Sequence, residues 1–354
     1  MNRSCRKRII LAVASVLVLA AGAAAFFALR YWADNMSGNF RHKYTLYVYP
    51  DMTAGEVLDS INAGALAVRR GSLERCARKE NLQERIKPGK YVIDKDASSI
   101  YVVRMLCLGW QTPQNLTLSG TLRKKERIAQ VISRQMMVDS LEVDSLLRSE
   151  SFLAQYGFTP DNVFALFLPD TYQMYWTSSP EDIFARFKKE YDAFWTQERL
   201  EKAERQGLTP METSIMASIV NGETLKGFEY PKIAGVYLNR LHKGMKLQAD
   251  PTVAFCFDYT LDRILKVHLK VDSPYNTYRY AGLPPAPINV PNKSCIDAVL
   301  DPDSHGYLYF CASPDFDGTH RFASTYSEHL KNAREFQREL TRRQKAKAAA
   351  RPAA

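Results

Sequence analysis

Residues Ser214 to Val253 read SIMASIVNGETLKGFEYPKIAGVYLNRLHKGMKLQADPTV. Ile215, Met216, Ile219 and Val220 recur at helical spacing and predict a buried helix. Glu223 lies four residues after Ile219 and seven after Met216, so it falls on the same apolar stripe. A carboxyl group there is costly unless it is neutral, paired or used. Gly222 precedes it, and Lys226 to Phe228 bring polar residues and a second glycine, so the helix is expected to fray into a cleft. Two readings stand at this point: a functional acid, or a helix-end carboxylate bonded to a nearby lysine. A second helix is expected from Pro231, a favoured first-turn residue, through Ile233, Val236, Tyr237 and Leu241. Lys243-Gly244 supplies its basic last turn and glycine cap. Gln248-Ala-Asp-Pro-Thr252 then forms a polar connection.

Working outward, 354 residues suffice for two modest domains, and 46% hydrophobic with 24% charged residues is an ordinary globular composition. The net charge of +10 is concentrated at the ends, in Arg3, Arg6, Lys7 and Arg8 and in Arg342, Arg343, Lys345, Lys347 and Arg351. No basic stripe with interleaved aromatics lies between them, which argues against a nucleic-acid partner. Ile9 to Leu29 carries no charge, about the 20 apolar residues a membrane-spanning helix requires. The alternative is a cleaved signal peptide cut near Ala20 to Ala25, but the run exceeds the usual apolar segment of roughly 7–15 residues. An uncleaved anchor over 9–29 is therefore expected. Residues 1–8 are then cytoplasmic by the positive-inside rule, and the chain after Arg30 is extracytoplasmic. The six cysteines form no CxxC pair and no disulfide framework, and Cys256 and Cys311 are expected to be small buried hydrophobes.

Tyr44 to Tyr49 alternates as a strand, and Thr53-Ala-Gly-Glu56 reads as a capping box opening a helix through Val57, Leu58 and Ile61. Helical patterns around Ser72–Lys79 and over Ser99–Leu108, with a strand at Lys90–Ile93 between them, complete a small α+β module. Further helices are expected over Lys124–Leu153, Pro180–Lys202, Leu261–Val271 and Ser294–Leu300. Strands are expected at Leu116–Leu118, Tyr307–Ala312 and His320–Phe322, and a basic helix fading to disorder from Ser327. Polar-aromatic loops at Ser273–Tyr278 and Gly282–Pro285 are of the kind that line sites on a rigid scaffold.

Several of these pieces together resemble the membrane-anchored endolytic murein transglycosylases of bacteria. They are Pro169-Asp-Thr-Tyr172, Ala217-Ser-Ile-Val220 through Glu223-Thr224, Ile233 to Arg240, Gly244 to Thr252, Tyr275-Asn-Thr-Tyr278, Gly282 to Pro285 and Tyr307 to Phe310. The resemblance spans roughly Asn162 to His329 in consistent order, and the module from Tyr44 to Leu108 is similar to that family's LysM-like subdomain. It implies an α+β fold class with an N-terminal transmembrane helix. A LysM-like module over 43–111, a larger catalytic domain over 112–335 and a basic tail over 336–354 would follow. In the family the second Glu of a Glu-x-Glu-Thr motif is the catalytic acid, which maps onto Glu223. The first Glu is Asn221 here, so no second carboxylate stands at that position. Phe164-Ala165 occupies the place where many members carry Glu-Gly.

The implied activity is cleavage of the MurNAc-β-1,4-GlcNAc bond within nascent glycan strands, leaving 1,6-anhydro-MurNAc ends at an inner membrane. Such cleavage needs an acid of raised pKa, and burial on the Met216–Ile219 stripe raises that of Glu223. Gln248, Asp250, Thr252, Tyr275, Asn276 and Tyr278 are the expected substrate-binding residues. Asp250 as a helix cap or turn residue, and the polar side chains as loop caps, are the structural alternatives. Peptidoglycan strands are the expected partner and cell-wall synthases are candidates. No cofactor is expected, and the six histidines lack metal-ligand spacing. The rival functions are a hydrolytic muramidase using Asp250 as second carboxylate and a non-catalytic glycan-binding scaffold.

Overall fold

The protein is described here from a computed structural model that covers residues 3–349. Met1, Asn2 and the last five positions of the expected basic tail lie outside the described residues. The chain forms two compact units, one of 1–115 with 173–178 and one of 116–172 with 179–354.

The first unit begins with a 33-residue helix, Arg3–Asn35, which has no buried residue and is long and apolar enough to cross a membrane. Its uncharged 9–29 portion rises roughly 30 Å, the thickness of a bilayer's hydrocarbon core. Beyond that portion Asp34 accepts hydrogen bonds from Arg75 Nη2 (2.6 Å) and Ser72 Oγ (2.5 Å), tying the helix end to the module that follows. That module is an antiparallel strand pair, Tyr44–Val48 with Gly89–Ile93, in which Tyr44 faces Ile93 and Val48 faces Gly89. Leu46, Val48, Tyr91 and Ile93 turn inward from the pair, as alternation requires. The helices Ala54–Gly64, Arg70–Lys79 and Ser99–Leu108 close over them with Val57, Ile61, Leu73, Val103 and Leu106. The Thr53–Glu56 capping box forms as expected. A further helical turn, Leu82–Arg85, was not expected.

The second unit is mostly helical. Two of the long helical patterns break where a cap intervenes. Lys124–Leu153 becomes Lys125–Ser133, Ser140–Leu146 and Glu150–Ala154, because Asp139 and Ser149 each accept main-chain N–H bonds that open a new helix. Pro180–Lys202 likewise becomes Pro180–Phe194 and Gln197–Arg205, with Thr196 as the cap between them. Leu261–Val271 is not a helix; only a single 3₁₀ turn forms, at His268–Lys270. Its apolar side chains Leu265 and Val267 are exposed, so nothing in the unit stabilises that spacing as a helix.

The core of this unit is built on the Pro210–Glu223 helix, which packs on Tyr230–His242 and Lys293–Leu300 through Met216, Ile219, Val220, Ile233, Ala234, Ile296 and Val299. The hairpin Tyr309–Ala312 and His320–Ala323 pairs antiparallel, Phe310 opposite Phe322. The helix Tyr326–Ala349 is continuous across the expected boundary at 335/336. It is bound to the hairpin region by Arg321 to Glu335 (2.5 Å) and by Phe316 stacked on Phe336. All six cysteines are free thiols, and Cys256 and Cys311 are half-buried rather than buried.

Candidate active site

The Pro210–Glu223 helix is started by a capping box, Thr209 Oγ1 accepting from Glu212 N while Glu212 accepts from Thr209 N, with Pro210 in the first turn. From Thr213 to Asn221 every side chain is buried, and the hydroxyls of Thr213, Ser214 and Ser218 return their protons to carbonyls of the same or preceding turn. Thr224 is extended and ends the helix at Glu223. Gly222 is required here: a Cβ on it would lie 2.6 Å from Pro251 Cβ. The missing side chain is what lets the Asp250-Pro251 turn approach the helix end. One residue before Gly222, Asn221 joins a buried amide relay. Its Nδ2 donates to Asn289 Oδ1 (2.9 Å), its Oδ1 accepts from Asn292 Nδ2 (2.6 Å), and Asn289 donates on to Ser218 O (2.8 Å). The position without the motif's first carboxylate therefore fastens the helix to the 288–292 segment.

The Tyr230–His242 helix contributes the second wall. Pro231 stands in its first turn, and Gly244, with φ +64°, closes it. Gly244 N donates to Leu241 O and Met245 N to Arg240 O, the double bond pattern of a Schellman cap. Tyr237 and Arg240 point from this helix into a cleft of about 250 Å³ that Glu223 also lines, together with Leu247, Gln248, Asp250, Tyr278, Phe310 and His320. Tyr237 is fully buried and donates from its hydroxyl to Glu223 Oε1 at 2.5 Å. Arg240 donates to the carbonyls of Leu308 and Leu247, both at 2.6 Å, joining the hairpin to the loop that carries Gln248.

Half-buried in this cleft, Glu223 has its carboxyl pKa pushed up to about 7. Burial is the main cause; the Tyr237 hydrogen bond and the Arg240 charge oppose it, and the Asp250 charge adds to it. Burial and the neighbouring carboxylate likewise push the Tyr237 hydroxyl well above the usual phenol range, so it remains a donor. Asp250 is exposed and accepts from the Tyr278 hydroxyl at 2.6 Å. It sits in the first turn of a short helix, Asp250–Cys256, whose cap is Ala249.

Of the residues expected from the sequence, Glu223, Gln248, Asp250 and Tyr278 share this cleft. Gln248 turns into it from a left-handed backbone (φ +53°) fixed by its N–H to Thr277 O. Thr252 and Asn276 do not reach it. Both are fully buried. Thr252 Oγ1 bonds Ala249 O and Thr277 Oγ1, while Asn276 Nδ2 donates to Leu269 O and Val271 O. Their polar atoms are consumed in holding the 248–252 and 275–278 loops. Tyr275 lines a separate cavity.

Four residues in or beside the cleft were not singled out as site residues from the sequence: Tyr237, Arg240, His320 and Glu229. In the sequence Tyr237 falls at an apolar helix position; the signal it carries is two polar tips, Tyr237 and Arg240, three residues apart on a buried helix. Nothing in the spacing around Glu229 marks it as a site residue. It is buried, accepting from His320 N (2.8 Å) and Thr224 Oγ1 (3.2 Å), with His320 Nδ1 2.9 Å from it. This pair fastens the residue after Glu223 to the hairpin, and His320 also lines the cleft. Among the described residues no group of three or more His, Cys, Asp or Glu side chains is placed to hold a metal ion.

A model of the YceG-like family matches residues 46–335. A Bacillus subtilis (strain 168) protein named endolytic murein transglycosylase is 44% identical over 116 residues, 33% of this chain and 32% of that protein. One of the same name from Streptococcus pneumoniae (strain D39) is 30% identical over 135 residues, 37% of this chain and 24% of that protein. The match to these curated relatives thus spans a third or less of their length. The crystal structure of a yceG-like protein from Listeria monocytogenes superposes with a TM-score of 0.54 at 25% identity, over 82% of this chain and 98% of that one.

Proposed function

Because the chain belongs to the YceG-like family, we propose that it is an endolytic peptidoglycan lytic transglycosylase that uses Glu223 as its acid. The observation carrying this reading is a single glutamate on a helix end, its pKa pushed up to about 7 by burial in a cleft and its carboxyl held by the Tyr237 hydroxyl. In the proposed reaction Glu223 gives its proton to the glycosidic oxygen as the bond from that oxygen to the muramyl C1 breaks. The muramyl 6-hydroxyl then bonds to C1, and its proton passes to the Glu223 carboxylate, restoring the acid. The nucleophile is already tethered to the reacting sugar, which favours it over water. Asp250 and the Tyr278 hydroxyl it accepts from would steady the positive charge at C1. Thr252 and Asn276 would act behind them as positioning residues.

The same reading takes the 9–29 helix as a single inner-membrane anchor with the N-terminus cytoplasmic, and the 43–111 segment as a LysM-like module ahead of the catalytic region. Cell-wall synthases are the partners such a placement favours. The test is to digest purified peptidoglycan with the chain and weigh the new ends. Anhydromuramyl ends, one water lighter than hydrolysed ones, are expected. Reducing ends would make the chain a muramidase with Asp250 as second carboxylate, and binding without cleavage would make it a scaffold.

A further inference from the structure

Beside the cleft lies a larger cavity of about 520 Å³. One wall is aromatic, formed by Phe164, Phe255 and Tyr275, with the Phe255 and Tyr275 rings 4.6 Å apart. The rest is charged. Some of those charges are already satisfied: Arg148 is paired with Glu126 and Asp144, and Arg123 stacks over the Tyr259 ring at 4.9 Å. Lys124 and Lys125 have no ion pair among the described residues, nor do the lining carboxylates Asp161 and Asp258. Lys125 is half-buried, and burial, aided by Arg148, holds its ammonium below the usual lysine range against the opposing charges of Asp161, Asp144 and Glu126. Charges of both signs thus line the cavity without direct ion pairs, so a ligand carrying both signs would find partners on its walls.

The cavity is linked to the cleft by two short segments. Tyr275 lines the cavity while Tyr278, three residues on, lines the cleft. Asp250 stands at one end of a seven-residue helix and Phe255 near the other, roughly 7 Å apart along its axis. A group hanging from a sugar bound at the cleft would extend along these segments toward the cavity.

Building on the transglycosylase reading, we infer that this cavity binds the peptide carried by a murein strand: a short peptide bearing both carboxylates and an ammonium. Lys124 and Lys125 take the carboxylates, Asp161 and Asp258 take the ammonium, and the Phe255–Tyr275 wall covers the chain between. The cleft then reads the sugar and the cavity reads whether that sugar is substituted.

Calorimetric titration of the full chain in detergent with the synthetic peptide L-alanyl-γ-D-glutamyl-L-lysyl-D-alanine tests the site without any chemistry at Glu223. Wild type is expected to bind it. The Lys124→Gln/Lys125→Gln variant should bind about fivefold more weakly, the combined effect of two exposed ion pairs, and Glu223→Gln should bind as wild type does. In strand cleavage, the double variant's preference for peptide-bearing over peptide-stripped strands should fall by the same factor. No binding by wild type, or equal binding by the double variant, overturns the inference. A wild-type chain that binds the peptide and cleaves neither strand upholds the cavity and overturns the transglycosylase reading instead.

Discussion

The floor and the rim of the cleft present the same chemical pair in two environments. On the floor, Glu223 accepts from Tyr237 at 2.5 Å between two buried helices. On the rim, Asp250 accepts from Tyr278 at 2.6 Å with its carboxylate in solvent. A tyrosine hydroxyl favours the ionised form of whichever carboxyl it reaches. On the floor burial outweighs that effect and leaves an acid poised near pH 7; on the rim Asp250 is exposed. Nearly the same parts therefore give two different carboxyls, one half-buried with a raised pKa and one exposed.

The largest expected effect tests that division directly. Glu223→Gln should lower strand cleavage by about 10²–10⁴-fold, the usual contribution of a general acid. Asp250→Asn should cost about tenfold, and equal losses in the two variants would erase the distinction between floor and rim. Stability gives an independent reading. The folded-state pKa of Glu223 lies above its unfolded value of 4.5, so below pH 4.5 the group is protonated in both states and neutral in its effect. Its penalty grows as pH rises toward about 7 and persists above. Glu223→Gln should then be more stable than wild type at pH 8, by about 1–3 kcal/mol, and no more stable at pH 4 in denaturant titrations.

The contact that brings rim to floor comes next. Gly222→Ala places a methyl 2.6 Å from Pro251 Cβ, neither of which is a flexible side-chain tip. Overpacking of about 1–3 kcal/mol is expected, seen as a lowered Tm, with activity falling because Asp250 moves with Pro251. An unchanged Tm would mean that the 250–252 turn is not held against the helix.

The smallest effect separates the two tyrosines. Removing the Tyr237 hydroxyl deletes an interaction that lowers the Glu223 pKa. Tyr237→Phe should therefore move the alkaline limb of the pH–rate profile upward, by about one pH unit for a hydrogen bond of roughly 1.4 kcal/mol. Tyr278→Phe should leave that limb in place, since its partner is Asp250. Matching shifts in both variants would show that the two carboxyls titrate as one unit.

The elements with local causes were legible in the chain alone. Thr53 with Glu56, Pro231, and Lys243-Gly244 each produced the helix end expected of them, because caps act over three or four residues. The same locality explains the errors. Asp139, Ser149 and Thr196 are caps that were read through as helix interior, since an apolar period continues on either side of each. Leu261–Val271 has the period of a helix, yet Leu265 and Val267 are left exposed and only a 3₁₀ turn forms.

For this protein the sequence by itself determined the anchor-length apolar helix, the family motifs and the odd position of Glu223, a carboxyl on an apolar stripe. Periodicity and composition reveal these because they are properties of consecutive residues. Only the tertiary structure decided what surrounds that carboxyl. Tyr237, Arg240 and His320 line its cleft from a neighbouring helix and a distant hairpin, while Thr252 and Asn276, equally polar, spend their hydrogen bonds within the loops. A polar side chain in a loop can face the cleft or bond the chain behind it, and which it does depends on carbonyls and hydroxyls brought near by folding.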